Sequence, residues 1–341
     1  FSEALLGRKA TSVDELIALY GGMIAHGTEN DAKGVAAMIP QLQPSQVTAA
    51  MRTLEGHGRL RRANVRVVEF QRKIPIAELW GRGDKASADM MALDASRHLY
   101  NARVDPRRRT FAAGIYTHVL DRYGVIYDQP IVLNERQGGA AVEGVERHNH
   151  SGEDRVRLSL LAVDTHGYTN ATMSIAKLLG FDLCPQLRNL VERKLHLPRG
   201  TKIPEGIEQV TVQGVSLNAI AKNWDEILRL IASIRTGRLS PSMAVQRLGS
   251  AAQGDPIHRA VDQLGRLLRT LFLCDYFSNK AFRREIHTLL NRGESVHQLQ
   301  RAIYYGKIAH DRGRRTDEMK AISGSHALLT NIVMAWNTSR M

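Results

Sequence analysis

The stretch RVRLSLLAVDTHG, from Arg155 to Gly167, constrains the fold more than any other part of this chain. Its apolar centre is continuous rather than alternating, which suits a strand buried on both faces, the kind found in parallel sheets with helices on either side. The strand ends on Asp164, so an acid stands at its carboxyl end.

The flanking segments supply the rest of such an architecture. ASADMMAL, FAAGIYTHVLD and VIYDQPIVL, separated by the turn-like DPRRR and DRYG, read as three successive strands. AAVEGVERHN is helical; after Asp164 a helix from Asn170 to Leu179 stops at Gly180, and FDLCPQ holds a short strand. Residues 13–73 read as helices divided at Pro40 and Pro44, with Leu16, Ile17, Leu19 and Tyr20 at helical spacing. Residues 190–275 carry little strand signal, while Ile227, Leu230, Ile231 and Ile234 recur helically, as do Val261, Leu264, Leu267, Leu268 and Leu271. A helical stretch from Asn279 to Tyr305 is expected to break at Asn291, Arg292 and Gly293, so that Glu294 opens its second half; a last helix runs through SHALLTNIVMAW.

The order strand meander, helix, central strand, helix, strand and late acid-bearing helix is that of an α/β, ribonuclease H-like core. In that layout the first and central strands are neighbours, and acids on them, Asp89 and Asp164, meet at one edge of the sheet. The chain divides on this reading into a helical segment (1–79), the first part of the core (80–190), a helical insertion (191–275) and the closing helices of the core (276–341). At 341 residues it is too long for one ordinary compact core.

Charge narrows the partner. Lys and Arg number 47 against 34 Asp and Glu, a formal +13, which calls for a polyanion. Nucleic acid fits, because neutralised phosphates release counterions; an anionic membrane is the rival, but no apolar run reaches the roughly 18 residues a spanning helix needs. Arg59, Arg61, Arg62 and Arg66 lie close enough to track a phosphate backbone or to form a solvated basic face. The two cysteines, Cys184 and Cys274, have no metal-ligand spacing and read as buried thiols in a reducing, cytoplasmic setting. Trp80 and Trp336 read as core anchors. With Phe1 at its start, the chain has the look of an excised fragment.

Phosphodiester cleavage needs a more acidic water and a neutralised leaving oxygen, and two cations about 4 Å apart serve both needs. Carboxylates hold such cations, and magnesium in particular prefers oxygen ligands. Asp89, Asp164 and Glu294 are a sufficient set, although each has a plain alternative as a turn, cap or helix-dipole residue.

The string DTHGYTNATMSIAKLLGFDLCPQLRNL resembles the second-acid motif of the Tn-three family of replicative, cointegrate-forming transposases: Asp164, Thr165, Gly167, Tyr168 and Thr169 follow DTxGYT, with Leu179, Gly180, Pro185 and Arg188 in the downstream pattern. LNRGESVHQLQRAIYYGKIAHDRGRR resembles the third-acid segment, with Glu294 after LNxG; WGRGDKASAD resembles the lead-in to the first acid, with Ser87 and Asp89 in register; AHGTEN and LLTNIVMAWNT match as well. The resemblance covers nearly the whole chain and corresponds to the C-terminal, catalytic part of a longer protein. It implies a DDE transposase/integrase core that cleaves 3′ ends at terminal inverted repeats and joins them to target DNA by direct transesterification. It further implies Mg2+, for which Mn2+ substitutes, as two ions held by Asp89, Asp164 and Glu294. DNA ends and target are the implied partners, with a dimer on paired ends, no membrane, and a bacterial cytoplasmic, nucleoid-associated location. Arg188, Lys307, Arg312, Arg314 and Arg315 are candidate phosphate contacts; Tyr168 is a candidate for packing beneath the site or stacking on a base, and His166 is given no role.

One position departs from the family pattern: Met90, where glycine usually follows the first acid. Strand alternation puts Asp89 and Met91 on one face and Asp94 on the other, so Asp94 stays open as the first acid, with Asp105, Asp121 and Asp128 as outside candidates. Met90 also motivates a non-catalytic, DNA-binding or regulatory remnant, and a structure-selective nuclease on the same fold is a third reading.

Overall fold

The computed structural model describes all residues except 57, 134, 151–155, 188–192, 204, 207–209, 252–253 and 310. Five helices come first: α1 (Ser2–Leu6), α2 (Val13–Gly27), α3 (Ala32–Met38), α4 (Pro44–Leu54) and α5 (Arg59–Arg72). The middle of the chain holds β1 (Lys85–Asp94), β2 (Arg103–Val104), β3 (Phe111–Leu120), β4 (Val125–Ile131), α6 (Gly138–Asn149), β5 (Leu160–Val163), α7 (Asn170–Leu178) and β6 (Asp182–Pro185). Then follow β7 (Leu195–Pro198), β8 (Val212–Val215), α8 (Leu217–Lys222), α9 (Trp224–Arg235), α10 (Pro241–Gly249), α11 (Pro256–Ser278), α12 (Lys280–Ile303) and α13 (Thr316–Arg340). This is a mixed α/β chain, and among the described residues no helix is long and apolar enough to cross a membrane.

The chain forms two compact units. One comprises residues 1–82, 90–135 and 292–341; the other comprises 83–89 and 136–291. Both β1 and α12 contribute residues to each.

In the larger unit the helices start where capping chemistry allows. Ser12 accepts the N–H of Glu15 to cap α2, Asp31 accepts that of Gly34 to cap α3, and Pro44 opens α4. Leu19, Met23, Leu54, Leu60, Ala63 and Val67 form one buried cluster with Leu328 and Ala335 of α13. β3 pairs antiparallel with β4, and a side chain completes the start of β4: the Asn331 amide accepts the Val125 N–H at 2.8 Å and donates to the Val125 carbonyl at 2.8 Å and to Asn64 Oδ1 at 2.6 Å. Asn331 is fully buried, so these bonds replace the water that it lost.

In the other unit β5 lies between the first half of β1 and β6, parallel to both, and all four of its residues are buried. This is the doubly covered strand expected from its apolar run. α7 packs on α11 so closely that any side chain at Gly265 would strike the Asn170 carbonyl; Ser174 Oγ donates to the Val261 carbonyl at 2.8 Å across the same contact.

Two expectations fail. Residues 190–275, read as a helical insertion with little strand signal, contain β7 and β8, which pair parallel with Leu195 opposite Val212 and Pro198 opposite Val215. Four-residue strands are too short for alternation to register as a sequence signal. The helix around Asn291, Arg292 and Gly293 is also unbroken, so Glu294 lies inside α12 rather than in a first turn. One glycine costs about 1 kcal/mol in a helix, and buried Ile286, Leu289, Val296 and Gln300 keep helical phase on both sides of it.

Two buried histidines of the larger unit, His26 and His326, are pushed down to about 4, in both cases mainly by burial. Their neutral forms are bound by the folded state, while the unfolded chain takes up protons near pH 6.5. Stability should therefore fall as pH drops below about 6.5 and go on falling to about 4, by up to about 3 kcal/mol per histidine. Unfolding midpoints measured from pH 7 to pH 4 test this, and His326→Gln should flatten the profile.

Candidate functional site

The register of β1 on β5 sets Ser87 opposite Ala162 and Ala88 opposite Val163. The next residues along these two segments are Asp89 and Asp164. Parallel strands run roughly 5 Å apart, so the two acids emerge side by side at the carboxyl ends of neighbouring strands, where open α/β sheets gather ligand sites. Both are half-buried.

The DTHGYT residues build a strand-to-helix turn. Asp164 Oδ1 accepts the N–H groups of His166 and Gly167, each at 2.9 Å. Its second oxygen has no protein partner among the described residues. Gly167 sits where a Cβ would lie 2.7 Å from the Val163 side chain, and Thr165 Oγ1 donates to the Gln186 carbonyl at 2.9 Å, tying the turn to the end of β6. Thr169 caps α7 by accepting the N–H of Thr172. Tyr168 is half-buried and its hydroxyl accepts from Arg193 Nη1 at 3.3 Å; His166 is exposed.

Asp94 lies five positions beyond Asp89 on β1, about 17 Å along an extended strand, and its carboxylate pairs with Arg108 at 2.7 Å. Strand pairing aligns Asp89 with Asp164 and leaves Asp94 elsewhere. The unexpected Met90 points its sulfur over Gly114 of β3, where a Cβ would approach it to 2.8 Å. Among the outside candidates, Asp105 is held below the usual carboxylate range by the Arg108 guanidinium, Asp121 accepts the Arg82 N–H at 3.0 Å, and Asp128, bonded to Ser323 Oγ, is raised by burial. Each has a structural duty.

The larger unit carries Glu294. One of its oxygens pairs with Arg301 on the same helix, and the other lies 3.9 Å from Nδ1 of His297. His297 is buried and its Nε2 lies 2.8 Å from Thr117 Oγ1 of β3. Burial, and then the Arg301 charge, push it down to about 4. Sequence reasoning passed over this residue, although the three-residue step from Glu294 in GESVH places both on one helix face.

The candidate phosphate contacts fare unequally. Lys307, Arg314 and Arg315 are exposed, and Arg315 pairs with Glu55 at 2.5 Å. Arg312 is buried and donates to the carbonyls of Asn30 at 3.2 Å and His26 at 3.4 Å, so it is a structural cation rather than a surface contact. Arg188 lies outside the described residues. Two further readings are corrected: Cys274 is exposed while Cys184 is buried, and Trp336 is 59% exposed with the Arg340 guanidinium 5.5 Å from its ring centre, so it anchors no core.

The model of the Tn3 transposase DDE domain matches this chain over residues 1–341. The chain belongs to that family. It is 51% identical, over its whole length, to the transposase for insertion sequence element IS1071 in transposon Tn5271 of Comamonas testosteroni, and spans 35% of that protein. It is 27% identical over 340 residues to the transposase for transposon Tn1546 of Enterococcus faecium, of which it spans 34%, and 28% identical over 278 residues to that for transposon Tn21 of Escherichia coli, of which it spans 27%. The chain thus spans about a third or less of the length of these relatives.

The two duties of Asp164, closing a turn and presenting a carboxylate, are separable. Asp164→Asn keeps an oxygen for the His166 and Gly167 N–H groups and should unfold at the same temperature as the parent or above it in EDTA. Asp164→Ala loses both bonds and should cost about 1–2 kcal/mol. Differential scanning calorimetry of the three chains decides the point.

Proposed function

We propose that this chain is the catalytic core of a DNA transposase, which cleaves 3′ ends at terminal inverted repeats and joins them to target DNA in replicative transposition. The observation that carries the reading is the strand register that sets Asp89 beside Asp164, inside a chain that matches the DDE domain from end to end. The antiparallel β3–β4 pair, β1 beside β3, and the parallel set of β1, β5 and β6 support a ribonuclease H-like core. On this reading residues 80–190 and 276–341 make the core, 1–79 precede it and 191–275 are inserted.

Asp89, Asp164 and Glu294 are the acids assigned to the metal. Two carboxylates at adjacent strand ends repel each other, and a cation relieves that repulsion; an all-oxygen donor set suits Mg2+, with Mn2+ as substitute. When bound, such ions make water more acidic and neutralise charge on the leaving oxygen. The protein's own part is to orient: the two N–H groups on Asp164 Oδ1 fix that carboxylate and leave its second oxygen for a ligand. The 3′ hydroxyl, losing its proton to water, attacks the target phosphorus while the target strand's own P–O3′ bond breaks and leaves as a new 3′ hydroxyl, with no covalent bond to the protein.

Exposed Lys307, Arg314 and Arg315, together with Arg188, are assigned to phosphates, where charge-assisted hydrogen bonds would hold the ends in line. Arg61, Arg62 and Arg66 of α5 are exposed beside half-buried Arg59 and add positive charge to their unit. DNA is the partner that such charge favours, and two ends suggest two copies. Nothing observed favours the remnant: Met90 packs over Gly114 and leaves Asp89 in place.

The test is strand transfer of a pre-cleaved oligonucleotide in Mg2+ by the chain and its variants. Asp164→Ala and Glu294→Ala should each lower the rate by about a thousandfold, in line with the several kcal/mol that metal ions supply, while binding the same DNA with unchanged affinity. Activity retained in either variant overturns the assignment.

A further inference from the structure

Glu294 is held in two contrasting ways. Its contact with Arg301 is a surface ion pair, with side chains 51% and 49% exposed, and such pairs contribute about 0–1 kcal/mol. Its other neighbour, His297, is only 2% exposed and fixed from behind by Thr117, a fully buried residue of β3. The first contact is easily exchanged for a ligand; the second stays where it is.

Hydrogen-bond accounting sets the tautomer of His297. A neutral imidazole carries one N–H and one lone pair. The Thr117 hydroxyl has no other bond among the described residues and has a proton to give, so Nε2 can take it with its lone pair. Nδ1 faces a Glu294 oxygen 3.9 Å away. A lone pair there would oppose the carboxylate charge, whereas an N–H attracts it and forms a hydrogen bond after a small rotation of the Glu294 side chain.

We propose that His297 is a positioning residue for Glu294: with the Thr117 hydroxyl donating to Nε2, its Nδ1–H takes one carboxylate oxygen and turns the other toward a divalent cation. The proposal rests on the reading of Glu294 as a metal acid. It gives the site a relay of Thr117, His297 and Glu294, in which partners one step removed from a ligand set its orientation and typically change metal affinity or activity about 10–100-fold when removed. Arg301 serves as the stand-in cation that the metal displaces.

Two measurements on the intact chain test this. A long-range 15N–1H spectrum should show the His297 Nδ1 protonated and Nε2 bare; a bare Nδ1 overturns the relay and makes the ring a direct ligand instead. The second is the Mg2+ concentration at half-maximal thermal stabilisation. It should rise about tenfold or more in Thr117→Val and in His297→Gln, and return to the parent value in Thr117→Ser, which restores the hydroxyl. A merely structural role would lower the metal-free melting temperature and leave that Mg2+ midpoint alone. If Glu294→Gln removes the Mg2+ response while Thr117→Val leaves it unchanged, the relay fails and the acid stands; if Glu294→Gln leaves the response intact, the assignment of Glu294 fails with it.

Discussion

Backbone pairing between β1 and β5 is the constraint on which the site depends. Side chains alternate across a strand, so a slip of one residue in this register would send Asp89 to the opposite face from Asp164. The register is specified by burial: Ala86, Ala88, Leu161, Ala162 and Val163 are small or branched, each almost wholly enclosed, and pack in one arrangement. The two acids sit one step past the last paired residues, at the point where sheet packing ends. Apolar packing thereby fixes the spacing of two groups that would separate in free solution.

The turn after β5 adds a second layer of control. Gly167 has to be glycine because Val163 fills the space of its Cβ, and Asp164 serves as both turn former and acid. The close approach of Asn170 and Gly265 then fixes the first turn of α7 against α11. The motif DTHGYTN thus encodes strand end, turn, cap and helix docking in seven residues, which explains why so much can be read from so short a string.

Legibility followed the length and regularity of each signal. β5, α6, α7 and the β3–β4 meander announce themselves through apolar runs and capping residues. The β7–β8 ladder does not, because LHLP and VQGV are too short to show a period, and pairing supplies the strand character that they lack alone. The break expected at Asn291–Gly293 is absent because buried residues on both sides of it, Leu289 and Val296 among them, keep one helical phase. In the candidate site, Asp164 and Asp89 stood out through the extended strings around them, since a turn or cap alone would explain a lone Asp at a strand end, whereas His297 did not: a histidine on an apolar helix face reads as core until the partner on β3 is seen. Arg312 shows the reverse error, since nothing in DRGRR distinguishes the buried arginine from its exposed neighbours.

The unbroken course of α12 sets a rule for how this chain can change length. A residue inside a helix advances by about 1.5 Å and turns by about 100° for every residue added or lost before it. Insertions in the region ahead of α11, such as the connection between Arg235 of α9 and Pro241 of α10, leave the phase of α12 untouched. A single-residue deletion between Lys280 and Gly293 instead swings Glu294 by more than a quarter turn about the helix axis. Natural variation should accordingly collect in the former region, while within α12 only changes of about seven residues, two whole turns, preserve the direction in which the carboxylate faces.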